Sequence, residues 1–230
     1  MKDIFDKVKS EGRNNLTEFE SRKLLEKYKI PVVKAETAST LEELIEKSER
    51  IGYPVVLKVL SKDIIHKTEA GGVALDIKNE RELAMAYTSM LKKVKSKFPK
   101  AKIDGFFVQQ MLKNGYEIIV GGKRDEVFGP VVMIGFGGIF VEIFDDVAFR
   151  VVPISKEDVM DMINEIKAGK ILKGFRGRKP ADVNAIADVV LKTAKILIEN
   201  PEIKEIDINP LIADENKAIA VDARVILNSK

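Results

Sequence analysis

The chain contains no cysteine, and only one of its 230 residues is a histidine. These absences exclude disulfides, thiolate metal sites and a zinc cluster of imidazoles. The 39 Lys and Arg residues nearly balance the 36 Asp and Glu residues, so the charge gives no indication of nucleic-acid binding. No apolar run is long enough to span a bilayer, and residues 1–7 are too charged for a secretory signal. We therefore expect a cytoplasmic protein that binds neither nucleic acid nor membrane.

The first hundred residues alternate between helical and strand patterns. Helix starts are marked by capping boxes at Thr17 and Thr40 and by an acidic turn after Asn79. Apolar strands are predicted at 54–60 and 73–77. This order is typical of an α+β or α/β lobe.

After about residue 105 the pattern changes to short, closely spaced strands, which predict an antiparallel sheet. These strands cover 106–112, 116–121, 130–135, 140–144 and 148–152. Helices are predicted after Ser155 and Asp182, and a hairpin pairs 205–213 with 217–225. The change near 105 predicts two lobes with a ligand cleft between them.

The single histidine, His66, lies in the segment HKTEAGGV at 66–73, just after the strand at 54–60. A neutral imidazole is a nucleophile toward phosphorus near pH 7, and glycines let a backbone approach phosphate closely. The pattern indicates a phosphoryl relay at His66. A solvated histidine beside an ordinary turn explains this segment, taken alone, about equally well.

Lys58 interrupts a strand that is otherwise apolar. Lysine is rarely buried without a partner, so Lys58 either faces solvent or points toward an anion such as a nucleotide phosphate. In the predicted hairpin, Glu205, Asp207 and Asn209 share one face, and Asp222 is an isolated carboxylate on the paired strand. A carboxylate and a carboxamide brought together suit Mg²⁺, although polar alternation also marks an ordinary solvated sheet face.

The glycine run at 135–138 does not make a known dinucleotide motif. It begins like a Rossmann fingerprint but has Phe140 at the third glycine position, and no window matches the P-loop pattern. Any nucleotide must therefore be bound in another way.

These segments, in this order, resemble the ATP-grasp family, and in particular the β subunits of archaeal ADP-forming acyl-CoA synthetases. The resemblance covers nearly the whole chain. Its segments are 20–25, 28–31, 52–58, 66–73, 128–132, 135–142, 206–211 and 221–224. It implies an α+β ATP-grasp fold of two α/β lobes with a nucleotide cleft. Residues 1–20 would pack on the larger lobe, 21–107 would form the small lobe with the mobile histidine loop, and 108–230 would form the large lobe with the Mg²⁺ hairpin.

The resemblance also implies roles for individual residues. His66 would be the catalytic phosphohistidine, Lys58 would contact phosphate, and Asn209 and Asp222 would bind Mg²⁺. The backbone of the segment between the lobes would hold adenine, and this segment is Gln109, Gln110, Met111 and Leu112. Relatives often have Glu where this chain has Gln110, which bears on base preference. Glu142 and Arg176 are further polar candidates for the cleft.

The implied reaction is acyl-CoA + ADP + phosphate = acid + ATP + CoA, with ATP or ADP and Mg²⁺ bound by this chain. A partner α subunit, in an α2β2 heterotetramer, would carry the CoA-binding and acyl-phosphate-forming domains. Three alternatives stay open: an ATP-grasp carboxylate–amine ligase, a non-catalytic nucleotide-binding regulatory module, and a succinyl-CoA synthetase β subunit. The sequence does not identify the acyl group.

Overall fold

The computed structural model describes residues 2–61, 63–64, 67–138, 146–167 and 169–228. Its contacts divide the chain into a smaller unit, Val33–Lys113, and a larger unit made of Met1–Val32 and Asn114–Lys230. This division differs from the sequence-based boundaries at 21–32 and 108–113. Residues 21–32 lie with the larger unit because Leu24, Leu25 and Ile30 are buried in its core.

In its described residues, the smaller unit is a four-stranded antiparallel sheet with two helices. Its elements are β1 (Ala35–Ala38), α3 (Leu41–Ile51), β2 (Val55–Leu60), β3 (Val73–Ile77), α4 (Glu80–Lys97) and β4 (Gly105–Gln110). The strand order is β1-β4-β2-β3. Both helices contribute to one apolar core, with Leu44 of α3 and Leu83 of α4 fully buried beside Leu57 of β2.

The predicted helix starts are confirmed by their capping bonds. Thr40 accepts a hydrogen bond from the Glu43 N–H at 3.2 Å, and Asn79 Oδ1 accepts one from the Glu82 N–H at 2.9 Å. Such bonds satisfy N–H groups that the first helical turn leaves without a partner. Helix α3 ends at Gly52, whose φ of 89° suits glycine.

The larger unit contains a six-stranded antiparallel sheet, as the strand spacing predicted. Its helices are α1 (Lys2–Ser10), α2 (Glu18–Lys27), α5 (Lys156–Glu165), α6 (Gly169–Leu172) and α7 (Val183–Glu199). Its strands are β5 (Tyr116–Asp125), β6 (Gly129–Phe136), β7 (Val147–Val151), β8 (Ile203–Ala213), β9 (Ala218–Ala220) and β10 (Ala223–Leu227). The order is β10-β8-β5-β6-β7, with β9 also paired to β8. The strand predicted at 140–144 lies outside the described residues.

One face of this sheet forms the core of the larger unit. Helix α7, whose N-cap is Asp182, buries Ile186, Val190 and Leu197 against it. The opposite face carries the polar residues of β8, because side chains alternate along a strand. Among the described residues, no helix combines the length and apolar character that a membrane crossing requires.

Candidate functional site

Lys58 lies on the face of the smaller sheet opposite its apolar core. Val55, Leu57 and Val59 of the same strand point into that core, so the alternation of β2 sends Lys58 the other way. Lys58 pairs with Phe107 of β4, and its Nζ lies 5.9 Å from the centre of the Phe107 ring. The residue is only 7% exposed. Lys58 is therefore not a solvated strand lysine.

Gln109 shares this second face, because it pairs with Val56, two residues before Lys58. Gln109 is 2% exposed, and its Oε1 is buried with no hydrogen-bond partner. A buried acceptor without a donor costs about 1–3 kcal/mol, so such an atom suggests a donor from outside the protein. The sequence analysis assigned only backbone contacts to Gln109. A polar residue in a buried strand, on the face opposite the apolar core, was the signal that could have identified the Gln109 side chain as part of the site.

The last residue of β4, Gln110, and the next residue, Met111, already use their N–H groups in hydrogen bonds. The Gln110 N–H donates to the Lys34 carbonyl at 2.8 Å, and the Met111 N–H donates to the Pro54 carbonyl at 3.0 Å. Met111 Sδ also accepts a hydrogen bond from the Asp76 N–H at 3.2 Å. Leu112, which is half-buried, follows immediately. Within the part of the chain described, its N–H donates to no protein acceptor.

The hairpin at the end of the chain brings Asn209 and Asp222 together. The Asn209 N–H donates to the Asp222 carbonyl at 3.1 Å, where the chain passes from β9 to β10. The Ala223 N–H donates to Asp222 Oδ1 at 2.8 Å, which orients the carboxylate. A carboxylate and an amide oxygen on adjacent chain segments form a donor set that suits Mg²⁺, an ion that takes few protein ligands and keeps several waters. The residues present therefore fit the metal that the sequence implied.

Asp207 is a third polar residue on this face, and the sequence analysis did not select it as a candidate site residue. It lies two residues before Asn209 and pairs with Arg224 of β10. Burial raises the pKa of its carboxyl, the charges of Glu205 and Asp222 raise it further, and Arg224 acts in the opposite direction. The alternation of polar residues in β8 was the available signal.

The remaining candidates from the sequence are Arg176, His66 and Glu142. Arg176 is exposed in the loop before α7, with φ of 50°, and its guanidinium lies 5.3 Å from the centre of the Phe175 ring. His66 and Glu142 lie outside the described residues. Among the residues that the structure does describe, no group of three His, Cys, Asp or Glu side chains forms a metal cluster.

A model of the ATP-grasp domain matches residues 7–227. The β subunit of acetate–CoA ligase [ADP-forming] I of Pyrococcus furiosus is 50% identical over 98% of this chain and 97% of its own length. Acetate–CoA ligase [ADP-forming] I of Archaeoglobus fulgidus is 42% identical over 99% of this chain. The match covers only 33% of that longer ligase.

Solved structures show the same similarity. Acetyl-coenzyme A synthetase 1 of Ca. Korarchaeum cryptofilum, bound to coenzyme A and Ca-AMPCP, has a TM-score of 0.94 and 44% identity, with 99% of each chain covered. The same protein with Mg-AMPPCP, in which the phosphohistidine segment points towards the nucleotide site, has a TM-score of 0.87 and 41% identity. It covers 99% of both chains as well.

Proposed function

Because the chain belongs to the ATP-grasp domain family, we propose that it is the nucleotide-binding β subunit of an ADP-forming acyl-CoA synthetase. The observation that carries this proposal is the 50% identity to such a subunit over 97% of that subunit's length. The A. fulgidus ligase is about three times as long as the region that matches this chain, so this chain supplies one part of the complete reaction. The other part belongs to an α subunit, and we assign the pair to an α2β2 assembly.

The chain's own step is phosphoryl transfer between His66 and a nucleoside diphosphate. An oxygen of the ADP β-phosphate forms a bond to the phosphorus of phosphohistidine as the N–P bond breaks. The electron pair of that bond returns to the imidazole nitrogen, and a proton on the other ring nitrogen makes the histidine product neutral, so ATP and a neutral histidine are formed. The reverse step uses the same neutral imidazole as nucleophile.

Lys58, Asn209 and Asp222 prepare this step by holding charge. The buried Lys58 ammonium contacts the transferred phosphate, where charge develops over three oxygens. Asn209 and Asp222 hold the Mg²⁺, which when bound supplies further charge neutralisation on the phosphates. The fixed orientation of Asp222 by the Ala223 N–H means that little rearrangement is needed before binding.

The segment 109–112 recognises the purine in our proposal. Since the N–H groups of Gln110 and Met111 are already bonded, the Leu112 N–H donates to a ring nitrogen of the base. The buried Gln109 Oε1 lies on the same side of the sheet as Lys58 and accepts a hydrogen bond from an N–H or O–H group of the ligand or of a water molecule. For Glu142 and Arg176 we propose only that their polar side chains lie near the nucleotide.

The test is His66→Ala and His66→Asn, assayed by incubation with radiolabelled ATP and Mg²⁺ and mapping of the labelled residue. Both variants are expected to lose the acid-labile, base-stable protein label and the coupled synthesis of acyl-CoA. Nucleotide affinity and Tm are expected to stay unchanged, because Lys58 and the metal ligands remain.

The same assay separates the competing functions. A carboxylate–amine ligase forms its acyl phosphate directly and leaves the wild-type chain unlabelled. A regulatory module binds nucleotide without any transfer. Retention of the label in His66→Ala contradicts the relay, and a parallel fall of Tm and all activities assigns the histidine a structural role.

A further inference from the structure

The hairpin between β5 and β6 presents two apolar side chains to solvent. Val127 is 83% exposed and Phe128 is 66% exposed. Asp125 Oδ1 accepts hydrogen bonds from the N–H groups of both residues, at 2.9 and 3.1 Å. The tip is therefore held in one conformation, so little conformational entropy is lost if a partner covers it.

Strand β7 continues this apolar surface. Phe149 and Val151 lie on the face away from the core and are about half exposed. Val151 pairs with Val131 of β6, and the Val152 N–H donates to the Pro130 carbonyl at 2.9 Å, close to the hairpin tip. We call Val127, Phe128, Val131, Phe149 and Val151 the apolar patch. In the described sheet β7 has a strand neighbour on one side only.

Exposed hydrophobic residues are concentrated in the apolar patch rather than scattered evenly over the surface. Four of the ten large exposed hydrophobic residues that the structure describes belong to it. Exposed apolar side chains that cluster on a rigid edge commonly mark a protein interface, and such an edge left bare favours aggregation.

We propose that the apolar patch docks the partner subunit that completes the acyl-CoA synthetase, an inference that rests on the proposed function. The exposed side chains offer roughly 400 Å² in total. This is about half of the ~800 Å² per partner that a standard interface buries. A second copy of this chain meeting the patch alone would therefore bury too little surface for a stable dimer.

A larger partner resolves this shortfall by adding contacts around the patch. In the A. fulgidus ligase, about two thirds of the polypeptide lies outside the region that matches this chain. That remainder corresponds to a partner large enough to cover the patch and its surroundings. The patch then forms the dry centre of the contact, with Phe128 and Phe149 as its aromatic anchors.

The test compares Phe128→Ser and Phe149→Ser with Met85→Ser, a control at a residue of the smaller unit that is 64% exposed. The affinity of each variant for the purified α subunit from the same source is measured by calorimetric titration. Each patch variant is expected to bind at least about tenfold more weakly, as hot-spot truncations do, and the control is expected to bind within twofold of wild type. Mg·ADP affinity and Tm of the isolated chain are expected to be unchanged in all three.

Three outcomes overturn the proposal. Patch variants that bind the α subunit like wild type show that the surface lies outside the interface, while the proposed function stands. Wild-type self-association that is lost in the patch variants, with α binding intact, assigns the patch to a second copy instead. Failure of the wild-type chain to bind the α subunit at all removes the proposed function together with this proposal.

Discussion

Lys58→Met is the substitution that best isolates the role of the buried lysine. Methionine keeps most of the length and apolar volume of the lysine stem but has no charge and no donor. The packing against Phe107 is therefore retained, and the loss is confined to what the ammonium contributes. A hydrogen bond to a charged group is worth about 1.5–3 kcal/mol, so nucleotide affinity should fall by ~10- to 150-fold.

Stability is a separate readout of the same substitution. Methionine removes the desolvation cost of a buried ammonium, and it also removes the contact of that ammonium with the Phe107 ring at 5.9 Å, which is worth about 0.5–1 kcal/mol. A lysine that served only to stabilise the sheet would give a lower Tm and an unchanged nucleotide affinity.

The assay is calorimetric titration of the isolated chain with Mg·ADP, with Tm measured on the same samples. Lys102→Met is the matched control, because the Lys102 side chain is 83% exposed in the same unit and forms a 3.8 Å ion pair with Asp104. The control is expected to bind Mg·ADP like wild type. If Lys58→Met also binds within twofold of wild type, our argument that this lysine contacts phosphate is refuted.

Three further substitutions test the rest of the structure. Asp207→Asn should raise Tm at pH 7–8, because the carboxyl pKa is raised in the folded state mainly by burial. The gain in Tm should vanish near pH 3, where Asp207 is protonated in both the folded and the unfolded state. A gain in Tm that does not depend on pH would contradict this cause. Glu20→Gln should lower Tm at pH 7, because hydrogen bonds from Arg13 and Thr17 outweigh burial and lower the Glu20 pKa. A pH series of melting curves should show that this loss of Tm shrinks as the pH falls through the lowered pKa. Gly115→Ala should lower the free energy of unfolding in urea by about 1–3 kcal/mol, because φ is +137° and the new Cβ would lie 2.5 Å from Ile212 Cγ2. The control is Gly12→Ala, whose φ is also positive but whose new Cβ meets no atom within 4 Å. The difference between the two variants separates the clash from the cost of a positive φ.

The sequence predicted the elements of the fold better than their grouping. Caps at Thr17, Thr40 and Asn79 depend on short-range hydrogen bonds, so their residue types are readable locally. The nine-residue helix α1 was not predicted, because its apolar contacts, Phe5 and Val8, are too few to set a clear period. The assignment of α2 to the larger unit depends on its packing against β10, which is a tertiary contact without a local signal.

In the candidate site too, the residue types could be read from the sequence, whereas the register of the strand pairing could not. Lys58 and Asp222 were identifiable because each is an isolated polar residue in an apolar segment of the sequence. Gln109 was assigned for its backbone alone. The importance of its side chain follows from a pairing with Val56 that places it beside Lys58, and pairing partners cannot be derived from one strand.

Register also decides how the polar residues of β8 divide their roles. All three alternate on one face, so periodicity alone treats Glu205, Asp207 and Asn209 as equivalent. The pairing sets Asp207 opposite Arg224, whereas Asn209 meets the Asp222 backbone at the step between β9 and β10. Asp207 is thus partly compensated by a cation, while Asn209 adjoins Asp222 through a backbone hydrogen bond. This difference in neighbours, rather than in residue type, is the reason that we propose Asn209 and Asp222, and not Asp207, as the metal-binding pair.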